Sequence, residues 1–435
     1  MEPFFAIGIF LFVLFLLLGS GVWIGLALLG VAYVGMEMFT SRPTGDAMMT
    51  VIWRSFSSWS LTALPMFIWM GEILYRTRLS DDMFKGLAPW MGRLPGGLLH
   101  TNIAGCTIFA AVSGSSAATL TTVGKMTIPE LRKRNYPEHL TIGTLAGAAT
   151  LGLMIPPSLT LIVYGVAINE SITKLFIAGI IPGLVLAFLF TIYVGVATRF
   201  ARDYNPRHDP PMTLREKLAR SRHLVPVLLL ILFVVGSMYV GIATATEAAA
   251  IGVLGSLALA AGQRSLTWRN FLDSLMGATR TSAMIALILA GAAFLSLSMG
   301  FTGLPRALAL WIASIELSRF ELLMVLLVFY IVLGCFLDGI SVVVLTIAIV
   351  EPMIRQSGID IIWFGIFVVV VVEMAQITPP IGFNLFVLQG MTGKTMSFIS
   401  RSALPMFLIM VGMVFILIAF PELATWLPDN MRTVR

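Results

Sequence analysis

The sequence predicts an all-α polytopic membrane protein made of two inverted-topology repeats, each about five transmembrane helices plus one re-entrant helical hairpin. Three observations carry that reading: composition, an internal repeat and the sidedness of charge. Of 435 residues, 58% are hydrophobic and 11% charged, where a soluble chain carries roughly 25% charged residues. Uncharged apolar runs of about 20 residues recur, and a helix of that length crosses the ~30 Å hydrocarbon layer. The first apolar run continues into a second without a polar n-region or an Ala-x-Ala-like site, so it reads as a structural span. The net charge of +6 comes from loop lysines and arginines and does not mark a nucleic-acid surface.

The repeat emerges when the chain is shifted by 223 residues. Pro3 then meets Pro226, Pro129 meets Pro352, Pro156 and Pro157 meet Pro379 and Pro380, and Pro182 meets Pro405. Ser115-Ser116 superposes on Asp338-Gly339, a second turn signal amid an apolar run. A fixed period of this kind means that one unit is built twice. The first repeat, residues 1–202, is expected to hold spans near 4–18, 22–38, 55–76, 139–168 and 173–198. The second, residues 224–435, has them near 224–240, 246–261, 275–299, 361–391 and 396–421. Residues 203–223, rich in proline and arginine, read as a cytoplasmic linker.

Each repeat also contains an apolar segment with a turn at its centre, at 95–135 and at 318–356. Ser113-Gly114-Ser115-Ser116 lowers helix propensity and favours turns and caps. Charge decides between one long helix and a hairpin that dives in and returns. Arg93 precedes the first segment, and Arg132, Lys133 and Arg134 follow it, so both flanks read as cytoplasmic. With both termini periplasmic and five crossings per repeat, 20 of the 28 basic residues fall on the cytoplasmic side. Five is odd, so the second repeat enters from the other face and the two hairpins reach in from opposite sides. Such inverted repeats belong to secondary transporters, whose sites lie near the midplane at the repeat interface.

Each repeat breaks one spanning helix, at GLMIPPSLT within 139–168 and at QITPPIGFN within 361–391. Paired prolines remove two backbone donors and push Ile155 and Thr378, the residues before them, away from helical geometry. Carbonyls released around Pro156 and Pro379 are hard oxygen ligands. Thr150, Ser158 and Thr160 lie beside the first break, and Gln376, Thr378 and Asn384 beside the second. Oxygen clusters without cysteine or histidine suit hard cations, and half-helix ends hold Na⁺ or an anionic group. A lone proline kink with serines bonding local backbone would be the plain alternative; a kink plus a tip, twice in register, favours an ion or substrate site.

Ionisable residues within the spans are functional candidates by default. Asp338 leads because it sits on the second tip, matching Ser115. Arg280 either meets a substrate carboxylate or snorkels to the cytoplasmic surface. Glu373 is either a proton or ion group or a buried, paired helix residue, and Glu72 and Glu247 read as structural. Cys106 and Cys335 read as small core residues, since their spacing supports no disulfide or metal site. Motifs of enzymes are missing: there is no HExxH, GxSxG or GxGxxG, and Gly393-Lys394-Thr395 has Leu388 where a phosphate loop needs glycine.

The runs FAAVSGSSAATLTTVG, NYPEHLTIGTLAGAATLGLMIPPSLTLIVYGV, FLDGIS and ITPPIGFNLFV resemble the large membrane subunit of tripartite ATP-independent periplasmic (TRAP) transporters, essentially end to end. The resemblance implies an elevator-type, Na⁺-coupled importer of an organic acid in the bacterial inner membrane. It implies two partners, a small four-helix membrane subunit and a periplasmic substrate-binding protein. No extra four-helix region is seen at either end, so the small subunit is expected as a separate polypeptide. It also implies sodium binding at Ser113, Gly114, Ser115 and Thr150, and at Gly339, Ser341 and Thr378; the breaks add Pro156 and Pro379. Ser116, Asp338, Arg280 and Asn384 are the candidates for substrate. The alternative is a stand-alone Na⁺/dicarboxylate symporter of related fold that needs no binding protein.

The charge pattern makes a direct prediction. Cysteines placed at Arg93 and Arg134 should resist an impermeant thiol reagent in intact cells and react after permeabilisation. Labelling of the Arg134 position from outside would remove the hairpin assignment.

Overall fold

Every regular element is a helix among the residues described by the computed structural model, which are 3–77, 79–201, 204–206, 212–222, 224–303, 307 and 317–431. A chain with little water around it must bond its backbone internally, and a helix does so within one segment. Six helices among these residues are long and apolar enough to cross a membrane: Glu138–Ile168, Ile172–Phe200, Ala245–Gly262, Trp268–Thr302, Gly339–Gln356 and Met396–Ala419. Phe5–Gly19, Ile24–Phe39, Gly97–Ser113 and Ile361–Gln376 are apolar but shorter. The chain is therefore a polytopic, all-helical membrane protein.

Two expected spans change. Residues 55–76 do not form one span: helix Thr44–Phe56 stops, a 3₁₀ turn covers Trp59–Thr62, and helix Ala63–Tyr75 follows. Ser57, Ser58 and Ser60 favour that stop, and Pro65 falls in the first turn of the new helix, where its missing N–H costs nothing. The span at 275–299 is longer, running Trp268–Thr302 from a Thr267 cap to Gly303 in the left-handed region. The segment 203–223 lies partly outside the described residues, but it contains helix Leu214–Ser221, opened by a Thr213–Glu216 capping box. That helix docks on Leu79–Met91, where Trp90 Nε1 donates to Ser221 Oγ at 2.8 Å and Ser221 Oγ donates to the Gly86 carbonyl at 2.9 Å.

Glycine allows the closest helix contacts, as expected where packing rather than hydrophobicity drives association. Ile24–Phe39 lies along Trp268–Thr302, and a Cβ on Gly291 would sit 2.6 Å from the Gly25 carbonyl oxygen. Glu138–Ala149 lies along Met396–Ala419, and a Cβ on Gly147 would meet Met406 Cβ at 2.6 Å. On the same contact, a Cβ on Gly143 would run into the Ser402 carbonyl.

The central packing crosses between the two halves of the chain. The arm Ser116–Lys133 packs on Phe383–Thr392, and the arm Gly339–Gln356 packs on Leu159–Ile168. Ion pairs close both contacts. Glu138 takes Arg132 at 2.7 Å together with Lys394, and Arg355 takes Glu351 at 2.9 Å and Glu170 at 3.6 Å. Arg355 stands 223 residues after Arg132.

Overpacking a tight core contact costs about 1–3 kcal/mol. Gly143→Leu should lower the thermal unfolding midpoint in detergent and reduce membrane accumulation. Gly236→Leu, where a Cβ has nothing within 4 Å, should change neither.

Candidate functional site

Two places in the chain share one construction: a helix–turn–helix tip laid against the gap in a proline-broken helix. At the first, His100–Ser113 ends on Gly114 at φ 58°, and extended Ser115 opens Ser116–Lys133. The Ser115 hydroxyl accepts from the Ala118 N–H at 3.4 Å, serving as N-cap. Ser113 Oγ lies 2.8 Å from Thr119 Oγ1 and donates to the Ser115 carbonyl at 3.2 Å, knitting the turn. The break follows Met154: Ile155 is extended, and Ser158 caps Leu159–Ile168. Tip and break are joined where the Leu159 N–H donates to the Gly114 carbonyl at 3.3 Å. A Cβ on Gly114 would sit 2.7 Å from the Pro157 carbonyl oxygen, and one on Gly152 would sit 2.7 Å from the Ser115 oxygen. Both positions need glycine for that approach.

The second centre repeats the plan with other residues. Arg319–Gly334 leads to a turn, and Asp338 caps Gly339–Gln356, its carboxylate accepting from the N–H groups of Ile340 at 3.2 Å and Ser341 at 3.3 Å. The Ser341 hydroxyl also donates to that carboxylate. Ile361–Gln376 stops before the prolines, and Gly382, at φ 53°, starts Phe383–Thr392. The Gly382 N–H donates to the Cys335 carbonyl at 3.3 Å, Gln376 Nε2 to the Leu337 carbonyl at 3.2 Å, and the Cys335 thiol to the Pro379 carbonyl at 3.5 Å. Gly382 stands 223 residues after Leu159, so the same repeat position ties tip to break twice. The Pro156–Pro157 and Pro379–Pro380 bonds are both cis. The centres differ in exposure: Pro156 and Pro157 are buried, whereas Asp338, Pro379 and Pro380 are exposed.

Most of the expected sodium residues line these two centres. Ser113, Gly114, Ser115 and Pro156 frame the first, and Gly339, Ser341 and Pro379 frame the second. Thr150 is buried at the joint before Leu151–Met154, its hydroxyl donating to the Gly147 carbonyl at 2.6 Å; Thr378 Oγ1 donates to the Met374 carbonyl at 2.7 Å. Each hydroxyl spends its proton on its own helix and keeps lone pairs able to accept.

The four substrate candidates do not gather in one place. Ser116 and Asn384 are buried and bonded, Asn384 Nδ2 donating to Ser116 Oγ at 3.2 Å. Asp338 is taken up in capping, and Arg280 is exposed on Trp268–Thr302, whose main neighbours are Ile24–Phe39 and Ala63–Tyr75. Glu72 pairs with Arg76 at 2.9 Å, and Glu247 serves the Thr244 capping box. Cys106 and Cys335 are free and buried.

Two features escaped the sequence: Gly152 seats the first tip and Gly382 anchors the second. The 223-residue offset could have found Gly382 from Leu159; no local pattern marks Gly152. Thr160, expected beside the first break, is there: its Oγ1 is buried without a hydrogen-bond partner and would lie 3.8 Å from a Cβ on Gly339.

A fold of this kind defines a class, the polytopic helical membrane proteins. The chain is similar to the YdaH transporter of Alcanivorax borkumensis with a TM-score of 0.62, over 94% of this chain and 97% of that one, at 14% sequence identity. The family follows from the sequence: residues 9–423 match the DctM component of the tripartite ATP-independent periplasmic transporters, and the chain belongs to that family. It is 30% identical, over 87% of its length and 88% of the relative's, to the C4-dicarboxylate TRAP transporter large permease protein DctM of Pseudomonas aeruginosa. It is likewise 30% identical to the isethionate TRAP transporter permease protein DctMQ of Oleidesulfovibrio alaskensis, covering 95% of this chain and 64% of that longer protein. The protein is thus a multi-pass permease subunit.

Proposed function

We propose that this permease imports an organic acid on a Na⁺ gradient, in the bacterial inner membrane, with both termini periplasmic. The substrate arrives on a periplasmic binding protein, and a small four-helix subunit completes the membrane complex. Two inverted repeats place one hairpin tip on each side of the midplane, and the body they form moves as an elevator. The observation that carries this reading is the paired tip-and-break construction in register. At each centre hydroxyls and carbonyls face a helix end, joined at the second by the Asp338 carboxylate, while the Cys335 thiol there is spent on the Pro379 carbonyl. Oxygen donors of this kind favour a hard cation. The relatives' names, a C4-dicarboxylate permease and an isethionate permease, share a small anion as cargo and differ in its acid group. The substrate is accordingly assigned here as a class, small organic anions with carboxylates foremost.

Two outcomes test this. Uptake into proteoliposomes holding the full complex should require a Na⁺ gradient, and full-rate uptake on a proton gradient alone would overturn the ion assignment. Ser115→Ala should raise the Na⁺ concentration for half-maximal uptake, and Asp338→Asn should impair transport more. If each tip is a separate ion site, either change also makes the Na⁺ dependence less steep. An unsatisfied polar group at depth is itself costly, so membrane expression and thermal stability are measured beside transport. Stable variants with unchanged Na⁺ dependence would reduce the tips to turns.

A further inference from the structure

One buried group is left unused by the two tip-and-break centres. Glu373 lies on Ile361–Gln376 with 0% exposure, and neither carboxylate oxygen has a hydrogen-bond partner. Val370, Val371, Val372, Met374 and Ala375 around it in sequence are also fully buried, so the carboxylate is far from bulk solvent. Among the described residues no lysine, arginine or histidine pairs with it. The side chain that interacts with its carboxylate is Ser116, the first residue of the arm after the first tip, though outside hydrogen-bonding geometry. Ser116 in turn accepts from Asn384, whose own Oδ1 is buried and unpartnered.

Counting donors and acceptors shows what the cluster lacks. It offers two carboxylate oxygens, the Asn384 amide oxygen and the Ser116 oxygen, while its donors are one hydroxyl proton and two Asn384 N–H groups, one of them already spent on Ser116. A buried carboxylate without a counter-charge is strongly disfavoured. One added proton would neutralise Glu373, but in the arrangement seen three oxygens, both of Glu373 and Asn384 Oδ1, lack a partner, and one proton does not serve all three. A divalent ion would leave net positive charge against a single carboxylate. A monovalent cation balances the charge and takes the oxygens as ligands.

We propose that Glu373, Ser116 and Asn384 form a Na⁺ site of their own, distinct from the two tip-and-break centres and spanning both halves of the chain. The choice of Na⁺ among monovalent cations rests on the reading of the chain as a Na⁺-coupled permease. Ser116 comes from the first hairpin, Glu373 precedes the second break and Asn384 follows it, so an ion here clamps the first tip to the second broken helix.

The test is a Na⁺ titration of thermal unfolding, with choline holding ionic strength constant, on the purified protein with its membrane partner. An ion that binds only the folded state stabilises it by RT ln(1 + c/Kd), where c is the Na⁺ concentration, so the half-saturating Na⁺ is obtained by fitting stability against the logarithm of c. Removing even an outer partner of a metal ligand costs about tenfold or more in affinity, so Glu373→Gln should raise half-saturating Na⁺ at least that far and lower the Hill coefficient. Ser116→Ala should shift the curve in the same direction with the carboxylate kept. Should Glu373→Gln fail to accumulate, Ser116→Ala and Asn384→Ala carry the test. If Ser115→Ala shifts the titration and the cluster variants do not, this site is absent and the tip reading stands. If the cluster variants shift it and Ser115→Ala does not, the tip reading fails and this site stands. If Glu373→Gln stabilises the protein without Na⁺ and leaves its Na⁺ response unchanged, the carboxylate carries a proton and the proposal is overturned.

Discussion

Backbone that leaves a helix inside a membrane protein must find partners, because no solvent is there to supply them. Paired prolines open two spanning helices of this chain, freeing carbonyls and removing donors at once. The tips fill both gaps: the Gly114 and Cys335 carbonyls accept the N–H groups of Leu159 and Gly382, the residues that restart the broken helices. Those two bonds set where each hairpin turns. Glycine at 114 and 152 then follows, because any Cβ there would strike backbone from the facing element.

From that constraint the body of the protein is assembled by exchange. Each hairpin's returning arm packs against a half-helix from the other half of the chain, and an arginine at the end of each arm meets glutamate, Arg132 with Glu138 and Arg355 with Glu170. Tyr164 adds a further tie, its hydroxyl donating to the Ile361 carbonyl at 2.7 Å. Neither hairpin is therefore free to shift alone. The outer layer, in which Trp268–Thr302 runs along Ile24–Phe39 and Ala63–Tyr75, touches this body mainly through apolar surface.

Much of this was legible because proline and charge act locally. The proline pairs mark both breaks, serine and aspartate mark both caps, and the family follows from motifs around them. Residues 55–76 misled because mean apolarity hides a stop made by three serines and a proline. Glu373, Ser116 and Asn384 gave no joint signal, since a polar residue in an apolar run does not announce which distant residue it will face. Arg280 was ambiguous for the converse reason: a long cationic side chain near a helix end is compatible with water as well as with an anion.

The bond between Asn384 and Ser116 joins residues 268 positions apart. Synthesis proceeds at about 5–20 residues per second, so the first tip waits on the order of tens of seconds for its last partner. Throughout that interval Ser116 and the face of Leu159–Ile168 lack the partners, Asn384 and Gly339–Gln356, that cover them in the finished fold. The nascent half therefore depends on lipid or on the insertion machinery to shield them, and its core closes only when the second repeat arrives.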